Sequence, residues 1–331
     1  MSIEVSVIIP AYNTERYIAK AISSALALTL KNIEVIVVDD CSTDNTAKIV
    51  KSFTDSRLKL LSNAENMGAG GARNKAIQAA QGKWIAVLDS DDWYALQRLE
   101  MLVDLAEQKN ADFIADDSYL IEEGANVPWS TIIGQSGEKI KTTRQIEAAE
   151  FILSDIEGKT GLQLGFTKPL FRRDFLVTHQ IKYSDIKVTQ DFWFDMQCFL
   201  HGARFFLVPE AYYFYLARPG SLVSSDKIKR LEEESQAISD FLQHKEFLSQ
   251  NPQVLEALKI KMRETNKWLD YYLVIEPLKQ KQISVCLKAV YSKPVVLKYL
   301  ACQNPIIINR RLKSLFENRP MGNYQKEIFK T

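Results

Sequence analysis

Short apolar runs that stop abruptly at polar residues dominate the first third of the chain. Residues 5–9, 33–38, 58–61 and 84–88 are such runs, and their length and polar boundaries predict buried strands. Between them helical spacing takes over. In residues 15–30 the apolar positions Tyr17, Ile18, Ala21, Ile22, Ala25 and Leu26 fall on one face, and a second helix is predicted from Ser42-Thr43-Asp44 to about Phe53. Gly68 to Gly71 form a turn into a third helix over about 72–81. A fourth covers about 95–109, before an apolar triplet at 113–115. Strands alternating with helices at this spacing predict an α/β fold, a doubly wound and mainly parallel sheet flanked by helices, with right-handed crossovers.

Beyond residue 116 the alternation loosens. Residues 117–145 read as loops and short strands, 144–155 as a helix and 165–171 as extended chain. A helix begins near Asp191 within 188–201, and strands follow at 205–208 and 212–215. From about 225 the chain reads as helical and more polar, with helices at 226–249, 252–274 and 279–291 before a tail punctuated by proline. Three parts are expected: 1–115, 116–224 and a helical C-terminal extension, 225–331.

Composition removes several function classes. A net charge of +1 over 331 residues gives no bulk attraction for nucleic acid. Cys41, Cys198, Cys286 and Cys302 are widely separated, so neither a structural zinc site nor a disulfide framework is expected. The first apolar run stops at Pro10, too early for a signal peptide, and no stretch reaches the roughly 20 apolar residues of a membrane span. A cytoplasmic protein is expected.

The polar breaks carry the candidate chemistry. Parallel strands bring their C-terminal ends to one edge, where ligands of open α/β sheets bind. Three such ends here are Pro10-Ala11-Tyr12-Asn13, Asp39-Asp40-Cys41-Ser42-Thr43-Asp44 and Asp89-Ser90-Asp91-Asp92. Three carboxylates within four positions repel one another unless a cation is held there. All-oxygen ligands suit Mn²⁺ or Mg²⁺ shared with substrate phosphates; the bland alternative is a helix cap. Asp89 and Asp91 are the site candidates, and Asp92 is assigned to the cap. The glycines around Gly68-Ala69-Gly70-Gly71 partly imitate a dinucleotide fingerprint. However, Arg73 stands where close helix–sheet packing needs no bulky side chain. A helix start carrying an arginine suits a diphosphate instead.

In combination these motifs resemble family 2 glycosyltransferases of the GT-A fold. The matching stretches are Val7-Ile8-Ile9-Pro10-Ala11-Tyr12-Asn13, Val38 to Asp44, Asn66-Met67-Gly68 with Ala72-Arg73-Asn74, and Leu88-Asp89-Ser90-Asp91-Asp92. Weaker similarity lies in Lys168-Pro169-Leu170-Phe171-Arg172-Arg173, Thr189-Gln190-Asp191-Phe192-Trp193, and Tyr213-Phe214-Tyr215 with Arg218-Pro219-Gly220-Ser221-Leu222. Within the family the chain is most similar to bacterial exopolysaccharide enzymes of the succinoglycan glucosyltransferase type. The resemblance implies a UDP-sugar donor held by Pro10, Ala11, Tyr12, Asp39, Asp40, Asn66, Arg73, Asp89 and Ser90. It implies Mn²⁺ or Mg²⁺ on Asp89 and Asp91, and Asp191 as general base. Two readings stay open for the remaining candidates: Trp193, Tyr213, Tyr215, Arg218 and Ser221 line the acceptor or diphosphate side, or Trp193 packs in the core and the others shape a turn around Pro219-Gly220. Gln190 stands where the family has Glu.

The expected reaction is inverting transfer of a hexose, glucose first, to a saccharide acceptor linked to a polyprenyl diphosphate, in exopolysaccharide or cell-surface polysaccharide synthesis. The competing readings are a sugar nucleotidyltransferase and an inactive nucleotide-sugar-binding protein. The nucleotidyltransferase's glycine-rich element after the first strand is missing. The intact carboxylates Asp39, Asp89, Asp91 and Asp191 argue against the inactive protein. From Lys288 onward cations outnumber Glu317 and Glu327, with apolar residues interleaved. Two readings stay open for this segment: a solvated helical cap, or contact with the inner face of the plasma membrane.

Overall fold

The apolar runs at the start of the chain become the parallel half of one sheet. A computed structural model describes residues 2–159, 161–184, 186, 189–218, 227–297 and 299. Its elements begin with β1 (Val5–Ala11), α1 (Ile18–Ala27), β2 (Ile33–Asp39), α2 (Thr46–Lys51), β3 (Leu58–Ser62), α3 (Gly68–Ala79) and β4 (Trp84–Val87). β1 lies parallel between β2 and β4, and β3 lies parallel outside β2. Val5, Val7 and Ile9 of β1 share a core with Ile18, Ala21, Ile22 and Ala25 of α1. Their period of two on the strand meets the period of three to four on the helix. Residues leading into β4 pass very close to β1: a Cβ on Gly82 would lie 2.5 Å from the Ser6 backbone nitrogen.

The chain continues through β5 (Trp93–Tyr94), α4 (Arg98–Lys109), β6 (Phe113–Glu122), β7 (Ser130–Thr131), α5 (Ile132–Ser136), β8 (Arg144–Ile146) and α6 (Ala148–Ser154). A 3-10 turn at Leu164–Phe166 leads to β9 (Leu170–Arg172), α7 (Arg173–Thr178), α8 (Gln190–Leu200) and β10 (Phe205–Ala217). The sheet order is β3-β2-β1-β4-β9-β6-β10-β5, with β7 on β6 and β8 on β10. β9 is antiparallel to both neighbours, and β10 returns parallel to β6.

Several boundaries differ from the pattern reading. β6 does not stop at residue 115 but runs to Glu122, with Asp116, Asp117 and Ser118 buried in it. One strand, with register shifts between Val208 and Ala211 and between Ala211 and Tyr213, replaces the two expected at 205–208 and 212–215. α4 starts at Arg98 rather than 95, because Trp93 and Tyr94 pair with Phe214 and Tyr213 of β10.

The chain divides into two compact units, Met1–Ser154 with Gly161–Ala217, and Asp155–Thr160 with Arg218–Thr331. The second holds α9 (Lys227–Phe241), α10 (Lys245–Gln250), α11 (Pro252–Lys279) and α12 (Ile283–Ser292). α11 runs past the expected residue 274 and accommodates Pro277 in its last turn. Lys261, buried on α11, pairs with Asp155 (3.1 Å) and Glu234 (2.9 Å). Among the described residues no helix is long and apolar enough to cross a membrane.

Candidate active site

The C-terminal ends of β1, β2 and β4 lie side by side, as parallel pairing requires. Pro10 and Ala11 are buried at the end of β1, and Tyr12 follows them, 48% exposed. Asn13 takes a left-handed φ of 50°. Its Oδ1 accepts from the Thr43 nitrogen at 2.8 Å, which ties the two strand ends together. Asp39 is buried and accepts from the Ser42 nitrogen (3.3 Å). Asp40 points into the fold: one carboxylate oxygen accepts from Asn63 Nδ2 (2.7 Å) and the Met67 nitrogen (2.9 Å). It thereby braces the entry to α3, where Asn66 Oδ1 accepts from the Gly68 nitrogen (3.2 Å).

α3 then delivers Arg73 to the centre of the site. Its Nη2 donates to Asp89 Oδ1 (2.6 Å) and its Nη1 to Asp191 Oδ1 (2.9 Å). The helix approaches so closely that a Cβ on Gly70 would lie 3.1 Å from Tyr183 Cβ and 3.2 Å from Gln190 Nε2. Asn74 clasps the same loop, donating to the Tyr183 carbonyl (2.8 Å) and accepting from its nitrogen (2.9 Å). These contacts fix α8 against α3. Asp191 sits in the first turn of α8, where Thr189 is the N-cap, so its carboxylate is not a cap.

A second cation meets the same carboxylates. Lys168 Nζ lies 2.9 Å from Asp89 Oδ2 and is ion-paired with Asp191 Oδ2. The Arg73 and Lys168 side chains are 6% and 8% exposed, those of Asp89 and Asp191 22% and 19%. Burial alone would lower the Lys168 ammonium's pKa, but the charges of Asp191 and Asp89 raise it above its ordinary value. Burial pushes the Asp89 carboxyl up, and Lys168 and Arg73 overcome this and hold it well below the usual carboxylate range. Asp195, one turn after Asp191, is buried with Oδ2 unpartnered, in a crevice with Lys168, Tyr183 and Asp191 that is too narrow for water. Burial first, and then the Asp191 charge, push its pKa well above the ordinary value.

The rest of the acidic stretch divides. Asp92 is not a helix cap: it is buried and accepts from the Tyr213 hydroxyl (2.6 Å) and the Leu216 nitrogen (2.7 Å), and the N-cap position of α4 is Gln97, whose side chain makes no capping bond. Ser90 is buried beside it. Asp91 is half-buried and lines a cavity of about 150 Å³ with Arg16, Lys20, Trp93 and Glu122. Asp89 does not fit the expected metal pair, because each of its oxygens faces a cation. Among the described residues no group of three His, Cys, Asp or Glu side chains is placed to hold a metal ion. Asp91 is the carboxylate of the stretch that fits a cation shared with substrate phosphates.

The acceptor-side residues fare unevenly. Trp193 is buried, edge-on to Phe192 at 5.0 Å, and so packs as core rather than on the acceptor side. Tyr215 is half-buried. Arg218 falls in the second unit, and Ser221 lies outside the described residues. Lys168 and Asp195 were not assigned to the centre from the sequence, whereas Tyr213 was read with Tyr215 as a possible acceptor-side residue and is found bonded to Asp92. The signal for Lys168 was its place in the stretch Lys168 to Arg173, which carries a weak family match.

A family model described as Glycosyl transferase family 2 matches residues 6–171. The succinoglycan biosynthesis protein ExoO of Rhizobium meliloti is 30% identical over 317 residues, which span 95% of this chain and 88% of ExoO. The Escherichia coli enzyme WfgD, a UDP-Glc:α-D-GlcNAc-diphosphoundecaprenol β-1,3-glucosyltransferase, is 44% identical over 123 residues, 37% of this chain and 49% of WfgD. Among solved structures, Staphylococcus aureus TarS 1-349 with UDP-GlcNAc superposes with a TM-score of 0.59 at 23% identity, covering 88% of this chain and 92% of TarS. The mannosyltransferase PcManGT of Pyrobaculum calidifontis, with GDP-Man and Mn²⁺, gives 0.59 at 16% identity, covering 92% and 80%. These two establish the shared fold.

Proposed function

This chain belongs to glycosyl transferase family 2, and from that premise we propose an inverting enzyme that moves a hexose, glucose first, from a UDP-sugar to a lipid-linked saccharide acceptor. One observation carries the reading: Asp89, at the strand edge where a donor binds, and Asp191, on the facing helix, share the same two cations at 2.5–2.9 Å. A donor-side group and a base are thus held in one constellation. In this reading Pro10, Tyr12 and Asp39 cradle the nucleoside. Asp191 takes the proton of the acceptor hydroxyl. The hydroxyl oxygen bonds the anomeric carbon as the bond to the diphosphate breaks, and UDP leaves with the electron pair. A single displacement inverts the anomeric centre. Asp91, with the diphosphate oxygens, would hold Mn²⁺ or Mg²⁺, which when bound neutralises the leaving group.

The donor and acceptor named for WfgD support UDP-glucose and a diphosphate-linked lipid, and the likeness to ExoO supports an exopolysaccharide pathway. Peripheral contact with an anionic membrane is supported by α12, which exposes Ile283, Leu287 and Tyr291 at helical spacing. No acid stands between Glu276 and Glu317, while Lys279, Lys281, Lys288 and Lys293 do. Leu287→Glu is expected to release the protein from anionic vesicles in a pelleting assay; unchanged pelleting rejects this contact.

The transfer reading is tested by UDP release from UDP-glucose. Asp191→Asn should lose it by about 10²–10⁴-fold, the usual span for a general base. A fully active Asp191→Asn enzyme removes Asp191 as the base, and release of inorganic diphosphate from UTP with glucose 1-phosphate, UDP-glucose being formed, would instead identify a nucleotidyltransferase.

A further inference from the structure

Lys168 is held from both ends. Its backbone carbonyl accepts from Arg98 Nη2 (2.5 Å), and Arg98 is itself locked to Asp116 with both side chains fully buried. Its ammonium reaches the other way, to Asp89 Oδ2 and Asp191 Oδ2. Arg73 makes the corresponding bridge to Asp89 Oδ1 and Asp191 Oδ1. The four side chains therefore close a ring of alternating charge, in which each carboxylate gives one oxygen to each cation. With Arg73 alone, each carboxylate would hang on one hydrogen bond and could turn about it. The second bridge removes that rotation. The crevice behind Lys168 admits no water, so little solvent screening loosens the ring.

We propose that Lys168 is a positioning residue for the transfer reaction: it acts through Asp191, setting the carboxylate's orientation toward the donor edge marked by Asp89. This inference rests on the assignment of Asp191 as base. It separates Lys168 from two other roles. A ligand of the donor diphosphate would govern UDP affinity, and a purely structural strut would govern stability while leaving turnover of the folded enzyme intact.

The test uses the full chain with UDP-glucose as donor and water as acceptor, UDP release as the rate, and calorimetric titration with UDP for affinity. Lys168→Met is expected to lower kcat by about 10²-fold, the cost of a misplaced catalytic group. The KM for UDP-glucose and the Kd for UDP should stay within about threefold, the signature of an interaction used in the transition state rather than in binding. Lys168→Gln, one atom shorter and neutral but still a donor, should give the same split and serves where the Met variant does not fold. Lys168→Arg should recover part of kcat. Adding Lys168→Met to Asp191→Asn should lower the residual rate no further, since the two act as one unit. A tenfold loss of UDP affinity with kcat intact, an unchanged kcat in folded Lys168→Met, or a further full loss in the double variant would each overturn the proposal. Asp191→Asn alone reports on the base: if it is inactive while Lys168→Met is active, only the role of Lys168 fails.

Discussion

Removing the carboxylate of Asp116 would leave Arg98, the first residue of α4, charged and fully buried. Arg98 donates through Nε to both Asp116 oxygens (3.1 Å each) and through Nη2 to Oδ1 (2.7 Å), and Asp116 Oδ2 also accepts from the Tyr212 nitrogen (3.1 Å). Asp116→Ala deletes all four, leaving Arg98 the Lys168 carbonyl and the faces of Tyr94 and Tyr213, 4.3 and 5.1 Å from its guanidinium carbon. Breaking a buried pair from one side costs about 3–5 kcal/mol. The orphaned Tyr212 N–H adds about 1–3 kcal/mol. At about 2–4 °C per kcal/mol for a unit of this size, the combined loss should lower Tm by roughly 8–32 °C. The double variant Arg98→Met with Asp116→Ala removes the stranded charge as well and should regain at least about 2 kcal/mol of the loss, because buried ion pairs are near break-even against apolar replacements. Differential scanning fluorimetry and urea titration read both. A loss below about 1 kcal/mol in Asp116→Ala, or a double variant no more stable than the single, would refute the claim that the pair is desolvated and mutually dependent.

Three further outcomes follow from the same structure. Asp195 holds its proton more tightly folded than unfolded, so the stability it contributes is intact below its unfolded pKa and declines as pH rises from about 4, by up to about 1.4 kcal/mol per pH unit until the raised folded pKa is reached. Asp195→Asn should remove that slope, giving a higher Tm than wild type at pH 8 and a matching one near pH 4; parallel melting curves across pH would count against it. In the second unit, Lys261→Met strands Asp155 and Glu234 together and should cost about 3–5 kcal/mol by chemical denaturation, more than Lys259→Met on the exposed face of α11. Gly82→Ala forces a methyl against the Ser6 backbone and should cost about 1–3 kcal/mol, visible as a lower urea midpoint.

The parallel half of the sheet was legible because each strand is an apolar run cut off by a polar residue, and so were the strand ends that gather at its edge. The second half hid behind long-range partners. Asp116-Asp117-Ser118 reads as the end of a strand in any short window. It stays inside β6 because Arg98, 18 positions earlier, and the Ile133 nitrogen supply partners. Asp92 reads as a cap until Tyr213, 121 positions later, donates to it. Asp191 was visible as an acid at a helix start, but its contact with Arg73 spans 118 positions. Lys168 stands in a stretch of weak family resemblance, but one lysine before a proline does not show its role until folding brings it between two carboxylates. Trp193 shows the converse case, since an aromatic beside a candidate base is as compatible with core as with a sugar face.

The placement of β9 has a consequence for how the chain is made. This short strand sits between β4 and β6, pairing Ile85 with Phe171 and Phe113 with Phe171. While the protein is being synthesised, β1 to β4 can form early, but the inner edge of β4 has no partner until residue 172 has left the ribosome. β6 likewise waits on its other side for β10. Sheets closed by such distant pairings assemble slowly, and unpaired apolar edges attract other chains. A nascent chain that ends at residue 115 thus carries β1 to β4 with an open seam. The family match, which ends at residue 171, stops within the strand that closes it.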